Sequence, residues 1–97
     1  MIFASIKDKP KTQELLSVLE KHFGKVEWGD QGTLDMPDAY FWVERDSVKV
    51  AVDNLTALEF QVKCSETSSP LIREVISVLS RAYRIEILDE PELEAYE

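Results

Sequence analysis

Residues 39–53 read AYFWVERDSVKVAVD, and this stretch decides the fold. Two runs rich in β-branched and aromatic residues flank the polar pair Asp46-Ser47, a pattern that predicts two strands joined by a two-residue turn. Because successive side chains of a strand point to opposite faces, this register gives the hairpin one apolar face and one polar face. The predicted cross-strand pairs are Phe41 with Val52, Trp42 with Ala51, Val43 with Val50, and Glu44 with Lys49.

A third strand is predicted in the stretch LEFQVK, residues 58–63. If Asn54-Leu55-Thr56 form a three-residue loop, both faces of the hairpin continue onto this strand. The pairs expected from that loop are Val52 with Leu58, Ala51 with Glu59, Val50 with Phe60, and Val48 with Val62. The buried face of the meander would then consist of Phe41, Val43, Val48, Val50, Val52, Leu58, Phe60 and Val62.

Two helices are predicted from apolar residues at helical spacing. The first has Asp8 or Thr12 as its N-cap and ends at Gly24. Its apolar stripe consists of Leu15, Leu16, Val18, Leu19 and Phe23. The second begins at Ser69-Pro70, which supply an N-cap and a proline in the first turn. Its expected buried stripe consists of Ile72, Val75, Ile76, Leu79 and Ala82.

Further strands are expected at residues 2–7, 26–28 and 83–88, so the element order is β-α-β-β-β-β-α-β. Each helix has one apolar stripe, and both stripes can be buried only against the apolar face of the sheet. The predicted fold class is α+β: a two-layer sandwich with a mainly antiparallel sheet and two helices on one face. In element order it resembles a ferredoxin-like unit with an added hairpin.

The chain of 97 residues has the size of one domain, which we place at residues 1–88, followed by an acidic C-terminal tail at residues 89–97. Cys64 is the only cysteine, and a lone thiol is typical of a reducing compartment. No apolar run approaches the ~18 residues expected of a membrane span. The sequence therefore predicts a cytoplasmic protein that makes no membrane contact.

The formal net charge of −8 disfavours nucleic acid as a partner, because phosphate binding depends on lysine and arginine. The excess acid lies in two blocks, residues 27–59 and 86–97, which each carry a net charge of −6. If these blocks share a side of the fold, the surface is polarised and attracts a basic protein.

The sequence contains little that indicates catalytic or metal-binding chemistry. Cys64 is expected in the interior and His22 at a helix flank, so they do not form a nucleophile and base. The acidic stretch with Asp30, Asp35 and Asp38 lacks the alternate spacing of a calcium loop. We expect no catalytic residues, no metal and no cofactor.

A protein-binding surface is the strongest indication. Tyr40 and Trp42 are expected on the polar side of the sheet, where exposed aromatic residues among carboxylates are typical of an interface centre. The acidic residues expected to bind the partner are Glu27, Asp38, Glu44, Asp53 and Glu59. Alternatively, Trp42 lies over Ala51 or beneath the loop at residues 29–37 or the tail, and is then only structural.

These features favour a binding protein over an enzyme. We expect an acidic inhibitory module that neutralises a basic partner, such as an immunity protein of a bacterial toxin–immunity pair. Two alternatives stay open: a small chaperone or adaptor that binds an extended peptide, and a small-ligand domain or enzyme. Homodimerisation through the aromatic face would also account for an exposed Trp42.

Overall fold

The structure is a computed structural model that describes residues 2–32, 38–55, 58–65 and 69–88. The predicted order of elements is confirmed. The elements are β1 (Ile2–Ile6), α1 (Thr12–Phe23), β2 (Glu27–Asp30), β3 (Ala39–Arg45), β4 (Val48–Asp53), β5 (Gln61–Cys64), α2 (Pro70–Ala82) and β6 (Ile85–Ile87). The acidic tail, residues 89–97, lies outside the described residues.

The six strands form one sheet in the order β2-β3-β4-β5-β1-β6, and every neighbouring pair is antiparallel. β5 and β6 therefore run in the same direction on the two sides of β1, and α2 connects them. This is a split β-α-β arrangement, as in a ferredoxin-like unit. The hairpin β2-β3 extends the sheet beyond β4. The predicted α+β fold, with its mainly antiparallel sheet and two helices on one face, is confirmed.

The register of the β3-β4 hairpin is the predicted one, with all four expected pairs present. Asp46 and Ser47 connect the strands with φ values of 52° and 67°. Two consecutive residues with positive φ match the turn whose backbone twist suits a two-residue hairpin. The turn therefore fixes which side chains of β3 face the helices.

The predicted pairing of β4 with β5 is wrong by four residues. Val52 pairs with Val62 and Val50 with Cys64, and β5 begins only at Gln61. The chain before β5 is bound to β1 instead, since Ile6 donates its N–H to the Phe60 carbonyl at 2.8 Å. A shift by an even number of residues keeps each side chain on its expected face.

Side chains around the β4-β5 connection explain why a three-residue loop does not form. Asn54 Oδ1 accepts the Ala39 N–H at 2.8 Å, and an Asp53 carboxylate oxygen accepts the Leu55 N–H at 3.3 Å. The Asn54 bond holds the start of the connection against β3, and the chain enters β5 only at Gln61. Leu58, expected in the core, is 90% exposed as a consequence.

The boundaries of both helices largely match the prediction. Gly24 follows α1 with φ 78°, and Ser69 Oγ accepts the Leu71 N–H at the start of α2. The N-cap of α1 is Lys11, which makes no side-chain cap, so the expectation of Asp8 or Thr12 is wrong. The Thr12 hydroxyl donates to Asp30, and Asp8 accepts from the Arg84 backbone, so both side chains bind other elements.

The core lies between the helices and the apolar sheet face. Of the expected meander residues, Phe41, Val43, Val50, Val52, Phe60 and Val62 are buried, and Val48 packs against them from a partly buried position. Ala82, expected in the buried stripe of α2, is exposed at the last turn of that helix. The helices contribute Leu15, Leu16, Leu19, Leu71, Ile72, Val75 and Leu79 to this core.

Glu74 on α2 joins three elements. The Arg45 guanidinium at the end of β3 donates to both Glu74 carboxylate oxygens, and His22 Nε2 on α1 lies 3.0 Å from Oε1. The hydrogen bond from Arg45, followed by the contact with His22, lowers the pKa of Glu74 from 4.5 to about 2. A two-pronged contact with arginine is stronger than an ordinary surface ion pair.

Replacing Ser47 with glycine should stabilise the protein by about 0.5–1 kcal/mol, because glycine adopts positive φ without steric cost. Urea unfolding measures the change. As a control, Ser17→Gly, the same substitution on the exposed side of α1, should lower stability by about 0.5 kcal/mol. A loss of stability on Ser47→Gly would contradict the turn geometry.

Glu74→Gln should lower the free energy of unfolding at neutral pH, because it removes the charge that pairs with Arg45. We expect a loss of about 1 kcal/mol, since solvent screens this partly exposed ion pair. Because the folded-state pKa is depressed, the contribution of Glu74 is fully present above pH 4.5 and disappears as the pH falls towards 2. The difference between wild type and variant should shrink over that range. Glu20→Gln, which removes the charge of an exposed acid of α1, is the matched control.

Candidate functional site

The sheet face opposite the helices is called the open face. The β-pairings place its side chains in rows that cross the strands. One row runs through Gly29, Tyr40, Asp53 and Gln61, and the next through Glu27, Trp42, Ala51 and Lys63. No described helix covers this face, because α1 and α2 both pack on the other side with Phe41 and Val50.

Tyr40 and Trp42 form an aromatic pair at the centre of the β2-β3-β4 part of the open face. Their ring centroids lie 4.7 Å apart with an interplanar angle of 34°. Both side chains are partly exposed, whereas their neighbours Ala39, Phe41 and Val43 are buried. The predicted strand phase is confirmed. Ala51 lies opposite Trp42 as expected, while the 33–37 part of the loop and the tail that could cover it lie outside the described residues.

Gly29 determines where the Tyr40 ring lies. The two residues are directly opposite each other on β2 and β3. A Cβ atom at position 29 would lie 2.7 Å from Tyr40 Cε1, far inside van der Waals contact. The tyrosine ring therefore occupies the space above Gly29. Because this glycine has no side chain, the sheet has room for the aromatic pair.

Lys49 contacts the same aromatic pair from β4. Its Nζ atom lies 4.4 Å from the centroid of the Trp42 ring, in a cation–π contact. Lys49 is directly opposite Glu44, yet in the described part of the chain no ion pair joins the two residues. The indole face thus already holds a positive charge.

Two of the expected acidic residues lie beside the aromatic pair. Glu27 is directly opposite Trp42 on β2, and Glu44 lies on the same face of β3 two residues beyond Trp42. Both are exposed, and neither forms an ion pair within the described ranges. Their negative charge is therefore available to a partner.

The other expected acids lie in different surroundings. Asp53 is opposite Tyr40 but only 7% exposed, and its carboxylate accepts from Lys63 Nζ at 2.8 Å. Glu59 accepts from Ser5 and Lys7 at the β1 side of the sheet. The Glu59 carboxylate therefore lies beside β1, which is separated from β3 by β4 and β5.

Asp38 is held at the start of β3 by the backbone around Asp30. The Asp38 carbonyl accepts the Gln31 N–H at 2.9 Å, and Asp30 Oδ1 accepts from the Gly32 and Asp38 N–H groups. The Thr12 hydroxyl also donates to Asp30, and this bond, followed by that from Gly32, lowers the pKa of the Asp30 carboxyl. Asp35, the remaining acid of this stretch, lies outside the described residues.

Cys64 and His22 each bind a separate partner. Cys64 is buried on β5, where its Sγ lies 3.4 Å from the Lys49 carbonyl, whereas His22 contacts Glu74. Residues 2–32, 38–55, 58–65 and 69–88 contain no group of three or more His, Cys, Asp or Glu residues able to hold a metal ion. In the same ranges, neither helix has the length and apolar character needed to cross a membrane.

Comparison with family models, with curated proteins and with solved structures gives no match.

The sequence did not identify the roles of Gly29 and Lys49. Lys49 was placed on the open face by the hairpin register, but as the neighbour of Glu44. The expected strand ends at residue 28 and leaves Gly29 in the loop at residues 29–37, whereas Gly29 is the third residue of β2. The role of Gly29 becomes predictable once the β2-β3 register is known, because the glycine then pairs with an aromatic residue.

Gly29→Ala should destabilise the protein by about 1–3 kcal/mol, because the new methyl group must displace the Tyr40 ring. The same substitution in a Tyr40→Ala background should be neutral or slightly stabilising. Urea unfolding of the two single variants and the double variant measures this coupling. Equal losses in both backgrounds would show that Tyr40 is not what excludes a side chain at position 29.

Proposed function

We propose that this protein is a protein-binding module that inhibits a basic partner through the open face of its sheet. The observation that carries the proposal is the partly exposed aromatic pair Tyr40–Trp42 with Glu27 and Glu44 beside it. Aromatic side chains that stay accessible on a rigid sheet are suited to dominate the affinity of an interface.

The charge of the surface supports a basic partner. Glu27 and Glu44 are exposed and unpaired in the described part of the chain, and the whole protein carries −8. Such a surface accelerates encounter with a positively charged protein by long-range attraction. Asp53 takes a different role from the one expected, because Lys63 already neutralises it; it supports the sheet beneath Tyr40.

The physiological setting that we propose is a bacterial toxin–immunity pair, with this chain as the immunity protein. Small size, high acidity and an open rigid face suit a protein whose task is to cover a basic surface. If the partner is a nuclease domain, Glu27 and Glu44 occupy the positions that substrate phosphates would take.

An adaptor that binds an extended peptide is the second candidate, and the exposed edge of β2 favours it. β2 is an outer strand of the described sheet, and Trp28 on it is 41% exposed. An added peptide strand could pair with this edge and contact Trp28. Trp28 pairs with Phe41 and so lies on the other side of the sheet from Trp42.

Trp42→Ala should abolish capture of the partner from an extract of the native host, whereas Trp28→Ala should retain it. The two variants each remove an indole, from opposite faces of the sheet, so they form a matched pair. For the purified partner, Trp42→Ala should cost about 2–4 kcal/mol of affinity and Glu44→Gln much less. Co-expression of the wild type should relieve toxicity of that partner.

Two results would redirect the interpretation. Capture of the same proteins at equal yield by a Trp42→Ala, Glu44→Ala double variant would rule out the open face. Loss of capture with Trp28→Ala, together with a complex that persists at about 0.5 M salt, would favour the extended-peptide candidate, because screening weakens steering by exposed charges.

A further inference from the structure

We propose that Trp42, Glu27 and Glu44 form a receptor for an arginine side chain of the basic partner, and that Lys49 occupies this receptor in the free protein. The inference rests on the proposed function and deepens it. It assigns the Trp42 indole a cation-binding role.

The position of Lys49 shows what the indole face binds. A lysine directly opposite a glutamate on neighbouring antiparallel strands is placed to form a favourable cross-strand ion pair. Lys49 is opposite Glu44 in this way, but its ammonium lies 4.4 Å from the Trp42 centroid. The negative ring face attracts a cation strongly enough to compete with the carboxylate for this ammonium.

The site has more negative than positive charge. Glu27 is opposite Trp42 on β2, and Glu44 follows Trp42 along β3, so exposed negative groups lie on two adjacent sides of Trp42. Lys49 is the one cation that contacts the indole within the described residues. Because two carboxylates flank a single ammonium, the site can bind a further cation.

Arginine matches this arrangement better than lysine. A guanidinium group is planar, stacks on an aromatic ring and donates two parallel hydrogen bonds to a carboxylate, whereas an ammonium is a strongly hydrated point charge. A guanidinium stacked on Trp42 can reach a flanking glutamate at the same time. Lys49 then leaves the ring face of Trp42.

The experiment titrates the full-length protein with blocked tetra-arginine, tetra-lysine and tetra-citrulline peptides at low ionic strength. The readout is the indole N–H signal of each tryptophan in a ¹⁵N NMR spectrum, assigned with Trp28→Phe. Trp28 lies on the opposite side of the sheet and serves as an internal reference. We expect tetra-arginine to shift the Trp42 signal most, tetra-lysine less, and the uncharged tetra-citrulline not at all.

Variants test the competition by Lys49. Lys49→Gln should tighten tetra-arginine binding about two- to fivefold, the range expected when a competing exposed cation–π contact is removed. Lys21→Gln removes the same charge from an exposed position on α1 and should leave the affinity nearly unchanged. Glu27→Gln and Glu44→Gln should each weaken binding. The overall spectrum of each variant reports whether the fold is intact.

The receptor is wrong if tetra-citrulline shifts Trp42 as much as tetra-arginine does, if Lys49→Gln weakens binding, or if Lys21→Gln tightens it equally. It is also wrong if no peptide moves the Trp42 signal. In that last case partner capture that still depends on Trp42 leaves the proposed function standing, whereas capture independent of Trp42 removes both.

Discussion

The side-chain phase of β3 is the constraint on which the rest of the structure depends. It is fixed by the Asp46-Ser47 turn, whose two positive φ values allow one register between β3 and β4. In that register Phe41 enters the core and Trp42 faces away from both helices. A register shifted by one residue would exchange these two side chains and bury the aromatic pair under the helices.

The parts of the fold that could be predicted from sequence are those determined by neighbouring residues. The hairpin register follows from its turn, and the helix ends at Gly24 and Ser69 follow from local capping chemistry. The register of β5 is different in kind. It depends on the bond between Ile6 and Phe60, which connects segments far apart in the chain, and no local pattern in LEFQVK indicates it.

The same distinction between local and long-range contacts applies to the candidate site. The exposure of Tyr40 and Trp42 follows from alternation along one strand and was predictable. The burial of Asp53 and the distance of Glu59 from the aromatic pair were not, because both result from the β5 register and its contacts with β1. The hairpin register predicts the correct face for Lys49. It does not predict whether the ammonium contacts the Trp42 indole or the Glu44 carboxylate, because both lie nearby and residue spacing does not distinguish them.

The position of β1 between β5 and β6 has a consequence for biosynthesis. Ser5 pairs with Gln61 and Ile6 with Ile85, so both edges of an early strand find their partners only after most of the chain has been translated. At about 5–20 residues per second, this interval lasts about 4–16 s on the ribosome. During that time Phe3 and Ile6, which are fully buried in the folded protein, have no completed sheet in which to pack.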